Sequence, residues 1–162
     1  MARIVLTDAS PLIGLSIVDG LNWLHTLFGE VWMPEEVKRE VLPGTGFKGE
    51  EAIHRALDAG WLREWTQGVE ALHLPELDEG EAACLAIATA HNGDSLILMD
   101  ERAGRAIAAE MHLKVAGTAA IVGMAKARGL IPSARQVFET LHQSDFRISA
   151  QVIKTVLERT GE

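Results

Sequence analysis

A layered α/β fold around a short parallel sheet is what this sequence predicts, on three observations. Two apolar runs, Arg3-Ile4-Val5-Leu6-Thr7-Asp8 and Leu96-Ile97-Leu98-Met99-Asp100, read as strands that each end on an aspartate. Strand patterns alternate with helical patterns along the chain, without a repeat, low-complexity run or long linker. At 162 residues and 48% hydrophobic content, the chain is long enough for one core and short for two. The expectation is a single domain over residues 1–162, with C-terminal helices from about residue 133.

The first strand runs from Arg3 to Thr7. Ser10-Pro11 then reads as a helix start, serine at the N-cap and proline at the first helical position, leading into Leu12-Ile13-Gly14-Leu15. Gly20 breaks the pattern before a second helix through Leu21, Leu24 and Leu27. Glu30-Val31-Trp32-Met33 is a short strand, and Pro34 opens a helix in which Val37 and Val41 share a face. A polar hinge, Pro43-Gly44-Thr45-Gly46, precedes an amphipathic helix from Gly49 to Ala59 with Ile53, Ala56 and Leu57 inward. Trp61 to Trp65 alternates like a strand or a strand-like edge. Asp78 caps a helix carrying Ala82, Leu85 and Ala86. After the strand ending at Asp100 come a helix from Glu101 to Met111, a short strand at Lys114-Val115-Ala116, and helices near Thr118 to Arg128, Ser133 to His142 and Ser149 to Glu158. Three roles stay open for the segment after Pro132: covering the core, an oligomer contact, or receiving a partner.

A net charge of −8, with 23 acidic residues, argues against a protein that grips nucleic acid through a broad basic surface. It leaves room for a nuclease, because cations held by converging acids reverse the local field and let a phosphate approach. Two compact cationic pairs exist, Arg102 with Arg105 and Lys126 with Arg128, each read first as solvated surface charge. The longest apolar stretch, Ala82 to Ala88, falls far short of the roughly 18 to 20 residues of a membrane span, so no membrane partner is expected. The N-terminus lacks the charged segment, long apolar run and cleavage site of a secretory signal, and a cytoplasmic location is the expectation. Cys84, the single cysteine, sits in an apolar helix and reads as a small buried side chain rather than a nucleophile. The six histidines show no ligand spacing, which disfavours zinc.

In an open α/β sheet, ligands bind in the crevice beyond the carboxyl ends of the strands. Asp8 and Asp100 stand at two such ends. Glu40 lies one position before the inward-facing Val41, at what reads as a buried edge, and Glu81 shares a helix face with Cys84, Leu85 and Ala88. A carboxylate moved toward low dielectric takes up a proton or costs stability, whereas a divalent cation keeps it ionised. Each acid also has a plainer reading. Asp100 can cap the helix at Glu101, and Asp78 with Glu81 matches a capping box. Asp8 can satisfy amides in the turn before Ser10, and Glu40 can belong to a wet helix face with Glu35, Glu36, Lys38 and Arg39. Taken as an ordered set, the four suit a hard metal.

The order and spacing of these segments resemble the PIN-domain family, most closely its branch of small prokaryotic proteins related to toxins of toxin–antitoxin pairs. The segments that carry the resemblance are Leu6-Thr7-Asp8-Ala9-Ser10-Pro11-Leu12-Ile13, Val31-Trp32-Met33-Pro34-Glu35-Glu36-Val37-Lys38-Arg39-Glu40-Val41, Leu77-Asp78-Glu79-Gly80-Glu81-Ala82-Ala83, Leu98-Met99-Asp100-Glu101-Arg102-Ala103-Gly104-Arg105-Ala106, and Gly117-Thr118 with Ala125-Lys126-Ala127-Arg128-Gly129-Leu130. The resemblance implies a three-layer α/β/α fold and an endoribonuclease whose catalytic and metal-binding acids are Asp8, Glu40, Glu81 and Asp100. The metal it implies is Mg²⁺ or Mn²⁺. It further implies RNA as substrate, an antitoxin protein as partner and a homodimer. Glutamate at position 81 departs from the aspartate that many family members carry there. The chemistry is phosphodiester hydrolysis without a covalent enzyme intermediate. Ser10 and Thr118 are supporting residues that orient a ligand or water, or else cap the helices that follow them. Arg102, beside Asp100, is a phosphate-contact candidate whose plainer reading is exposed surface charge.

The tryptophans at 23, 32, 61 and 65 can stack on single-stranded bases, but such residues are more often core or interface. Trp61 and Trp65 read as the best candidates for an exposed patch or dimer contact. Two other function classes stay open. One is a catalytically silent PIN-like module that binds RNA or protein. The other is a receiver-like phosphoacceptor, which Asp100, Thr118 and Lys126 loosely match.

Overall fold

Parallel strands buried on both faces read as unbroken apolar runs, and the two such runs in this chain lie side by side at the centre of the sheet. The computed structural model describes residues 3–91 and 94–162. Met1 and Ala2, where the signal-peptide reading begins, lie outside the described residues, as does the side chain of Lys48.

The elements in chain order are β1 (Ile4–Thr7), α1 (Ala9–Ile17), α2 (Asn22–Phe28), β2 (Val31–Pro34), α3 (Glu35–Val41), α4 (Lys48–Ala59) and β3 (Leu62–Trp65). There follow α5 (Glu79–Ala90), β4 (Ser95–Leu98), α6 (Arg102–Glu110), β5 (Lys114–Ala116), α7 (Thr118–Ala127), α8 (Ala134–Gln143) and α9 (Ala150–Thr160). All strand pairs are parallel, in the order β3-β2-β1-β4-β5, and helices cover the sheet in a three-layer α/β/α arrangement. The all-parallel sheet and alternating helices match the fold class expected from the sequence.

From β1 the chain winds outward through β2 to β3, crosses back to β4 on the other side of β1, and continues outward to β5. The reversal falls between β1 and β4, whose residues pair in register from Ile4 with Ser95 to Thr7 with Leu98. Every residue of β4 is buried, whereas the edge strands β3 and β5 carry exposed Arg63 and Lys114. α5 packs against β1, β2 and β4, and α1 against α3, α4 and α7.

The C-terminal helices cover part of the core, one of the roles left open for them. α8 and α9 pack on α7, and Val122, Phe138, Leu141, Val156 and Leu157 form a second apolar cluster there. α7 is apolar on two sides: Ile121 faces the main core and Val122 the second cluster. The side chain of Glu162 then accepts from Ser133 Oγ at 2.8 Å and from the Ala134 amide at 2.7 Å. These bonds satisfy donors at the start of α8 that the helix itself leaves unpaired.

One local reading is corrected. Trp61 is buried at 5% exposure and stacks on His25, so it offers no surface patch. It directly follows Gly60, the left-handed cap that ends α4, and the turn tucks its ring into the main core. Trp65 is half-buried, with its ring edge-on to both Trp32 and His91.

Candidate active site

Asp8 follows β1 directly, and its amide bonds the Leu98 carbonyl at 2.9 Å, which carries the β1–β4 ladder one residue beyond the strand. Asp100 lies two residues past the end of β4, because Met99 still bonds Ala116 on the neighbouring strand. Both therefore stand at the carboxyl ends of adjacent central strands, where the winding reverses. Ligands gather at such switch points because the flanking loops part there.

Asp8 is 3% exposed, and its Oδ1 has no hydrogen-bond partner among the described residues. Burial raises its pKa to about 7. The Ala9 amide opposes the rise, and the charges of Asp78, Glu81 and Glu40 add to it. Asp8 also occupies the N-cap position of α1 with extended backbone, yet its side chain makes no capping bond. The expected Ser10 cap is displaced by two residues, since α1 already begins at Ala9. The Ser10 hydroxyl is thereby freed to point across the cleft.

Glu81, at 5% exposure, opens α5 through the capping box read from the sequence. The Asp78 carboxylate accepts from the Glu81 amide at 2.8 Å, and Glu81 Oε1 accepts from the Asp78 amide at 3.2 Å. Only one of its oxygens is used. Oε2 is buried without a partner among the described residues, and burial raises the Glu81 pKa to about 7, with the nearby Asp78 and Glu101 charges adding to the rise. The plain reading thus uses one oxygen of the carboxylate and leaves the other free of hydrogen bonds among the described residues.

Asp100 is held by three donors. Ser10 Oγ gives a hydrogen bond to Oδ2 at 2.7 Å, Thr118 Oγ1 gives one to the same oxygen at 2.7 Å, and the Thr118 amide gives one to Oδ1 at 2.7 Å. Neither hydroxyl caps its own helix, and Asp100 does not cap α6, whose N-cap is Glu101. The two supporting residues read from the sequence instead orient one carboxylate.

Glu40 is exposed rather than at a buried edge, since it sits near the open end of α3 while Val37 and Val41 turn inward. It still lines a cleft of 170 Å³ with Asp8, Ser10, Asp78, Glu101 and Phe146. Desolvation there, and the Asp78 charge, raise its pKa. Asp78 and Glu101 were legible as acids beside the site residues, in Asp78-Glu79-Gly80-Glu81 and Asp100-Glu101, but only the fold shows that they line the cleft. Nothing local in the sequence marks Phe146.

Three glycines hold the carboxylates close to backbone. A methyl group on Gly80 would stand 3.0 Å from Asp8 Oδ1, one on Gly104 would stand 2.7 Å from Glu81 Oε2, and one on Gly117 would stand 3.0 Å from Asp100 Oδ1. Gly117 also faces Arg105, whose Nη1 donates to the Met99 carbonyl at 3.2 Å. Of the two arginines on α6, Arg105 is the one brought beside Asp100, while Arg102 is exposed at the start of the helix. Cys84 is fully buried, which pushes its thiol pKa well above the ordinary value, and its Sγ donates weakly to the Thr7 carbonyl at 3.5 Å. Lys126 donates to the Pro132 carbonyl instead of reaching toward Asp100, which removes the lysine from the receiver-like constellation.

A PIN-domain family model matches residues 4–162. The chain belongs to the PIN-domain family. No curated protein matches the chain. PIN domains have a nuclease-type fold, and in this PIN domain the acidic cleft lies at the switch point. The donor chemistry fits a hard divalent cation, which takes oxygen ligands: two buried carboxylate oxygens, Asp8 Oδ1 and Glu81 Oε2, have no other partner. Among the described residues, no three His, Cys, Asp or Glu side chains are disposed to hold an ion as they stand. Asp100 is turned to Ser10 and Thr118, and Glu81 is shared with Asp78.

Proposed function

We propose that this PIN domain is a metal-dependent endoribonuclease that hydrolyses RNA phosphodiester bonds, with Asp8, Glu40, Glu81 and Asp100 holding Mg²⁺ or Mn²⁺. The observation that carries the reading is the pair of buried, unpartnered oxygens on Asp8 and Glu81 at the carboxyl end of the central strands. A buried carboxylate left without a partner costs stability unless it is protonated or paired with a cation.

A bound divalent cation supplies an acidic water as nucleophile and neutralises charge on the attacked phosphate. The chain supplies the rest. Asp8 and Glu81 hold negative charge at the cleft floor, where each leaves one buried oxygen for a cation. Ser10 and Thr118 fix the orientation of Asp100. Glu40 lines the exposed wall of the cleft, and Arg105 offers its remaining N–H donors to a phosphate oxygen. Arg102, at the exposed start of α6, remains a second phosphate contact in this proposal.

The resemblance to small prokaryotic toxins extends the proposal to a cytoplasmic toxin that forms a homodimer and is held by an antitoxin protein. One domain over residues 1–162 suffices for it. The test is cleavage of a panel of structured and single-stranded RNAs in Mg²⁺, Mn²⁺ or EDTA, alongside the Asp8→Asn/Asp100→Asn double variant. Metal-dependent cutting lost in that variant supports the reading. Absence of both cutting and metal binding replaces it with a silent RNA- or protein-binding module.

A further inference from the structure

We propose that Phe146 is the base-stacking residue of this cleft, an inference that rests on the nuclease reading above. The ring enters from the connection between α8 and α9 and lines the cleft with Asp8, Ser10 and Glu40. Asp145, left-handed at φ 61°, turns the chain, and the Phe146 amide bonds the Leu141 carbonyl at 2.9 Å. His142 Nε2 lies 3.2 Å from the Ile148 carbonyl and ties the same turn from the other side.

Against α1 the ring fits only because residue 14 is glycine. A methyl group there would stand 2.6 Å from Cζ and 2.8 Å from Cε2 of Phe146. The ring is half-buried at the margin of the second apolar cluster, so it anchors in that cluster and still borders the cleft.

Among the described residues lining the cleft, four are acidic, none is basic, and Phe146 is the only aromatic. Without a bound cation, the charge on those walls repels a polyanion. Aromatic rings bind bases through their π-faces with little regard to sequence. In a duplex those faces are occupied by neighbouring bases, and sequence-reading proteins accordingly stack the splayed bases of single strands. At 170 Å³ the cleft is also smaller than the roughly 300–1,000 Å³ of pockets for drug-sized ligands.

The experiment is binding of a short single-stranded RNA carrying 2-aminopurine, whose fluorescence is quenched on stacking, in EDTA and in Mg²⁺. It compares the native protein with Phe146→Leu, Phe146→Trp and Gly14→Ala. Phe146→Leu keeps apolar packing without a ring, and an unchanged melting temperature confirms its fold. Gly14→Ala leaves the ring intact and pushes it from its seat. Loss of quenching in both, with affinity weakened roughly 5- to 150-fold, and retention in Phe146→Trp are expected. Equal quenching and affinity in Phe146→Leu and the native protein would overturn the inference, as would absence of quenching in the native protein. Cleavage followed in parallel separates the two readings. Cutting that ignores Phe146 removes the stacking role and keeps the nuclease, whereas Phe146-dependent quenching without any cutting does the reverse.

Discussion

Thr118 grips both oxygens of Asp100, its amide on Oδ1 and its hydroxyl on Oδ2, each at 2.7 Å. A residue at the start of one helix thus sets the orientation of a carboxylate that follows another strand. Thr118→Val preserves shape and removes the hydroxyl donor. Because groups that orient a metal ligand typically carry 10–100-fold of its affinity, Mn²⁺ binding followed by calorimetry is expected to weaken by roughly that factor. Thr118→Ser should restore it. Unchanged Mn²⁺ affinity in Thr118→Val would show that Asp100 needs no such hold.

Gly104→Ala tests placement rather than chemistry. Its methyl group would meet Glu81 Oε2 at 2.7 Å and Met99 Sδ at 2.5 Å, both on flexible side chains that can yield without unfolding the helix. The yielding moves Glu81. Displacement of a reacting group by about 1 Å can cost roughly 100-fold in rate, so RNA cleavage should fall by that order while the melting temperature changes little. Full activity in this variant would remove Glu81 from the site.

Asp8→Asn is expected to separate activity from stability. It should abolish metal-dependent cleavage while stabilising the metal-free protein at pH 8, by roughly 1–3 kcal/mol, because a buried unpaired charge is replaced by a neutral group. Urea denaturation in EDTA measures the second effect. A less stable Asp8→Asn protein under those conditions would mean that the native charge already has a partner.

The pH dependence has a definite sign. Burial raises Asp8 and Glu81 from ordinary values of 3.8 and 4.5 to about 7, so the folded chain holds more protons than the unfolded chain across that interval. Stability of the metal-free protein from these groups is therefore present below about pH 4, falls as pH rises toward 7, and levels off above. Metal binding releases the same protons, so Mn²⁺ affinity should rise through the same interval. The difference in unfolding free energy between the native protein and Asp8→Asn, followed in EDTA from pH 5 to 8, isolates the Asp8 share. A flat difference would contradict the assignment.

The sheet was legible because its central strands are buried on both faces and so appear as uninterrupted apolar runs, with Asp8 and Asp100 punctuating their ends. The capping box at Asp78 and Glu81 was legible from spacing alone. Its spare oxygen was not, since burial of Oε2 depends on α6 passing close by at Gly104. Ser10 and Thr118 look like ordinary helix starts in sequence, and only the side-by-side placement of β1 and β4 turns both hydroxyls onto one aspartate. Glu40 reads as half-inward from its neighbour Val41, but one step along a helix rotates the side chain by about 100° and carries it to the open wall. Phe146 has no local signature, because its position follows from two helices docking on α7.

The reversal of winding between β1 and β4 also imposes a timetable on synthesis. Asp8 leaves the ribosome early, but the strand that will lie beside it starts at Ser95, and the hydroxyl that steadies Asp100 comes at Thr118. Until then β1 has an open edge on that side, and no carboxylate cluster exists for an ion to enter. Phe146 arrives later still, so a nascent chain passes through a long interval in which the acids are present and the centre is not. The centre is therefore complete only once nearly the whole domain has emerged.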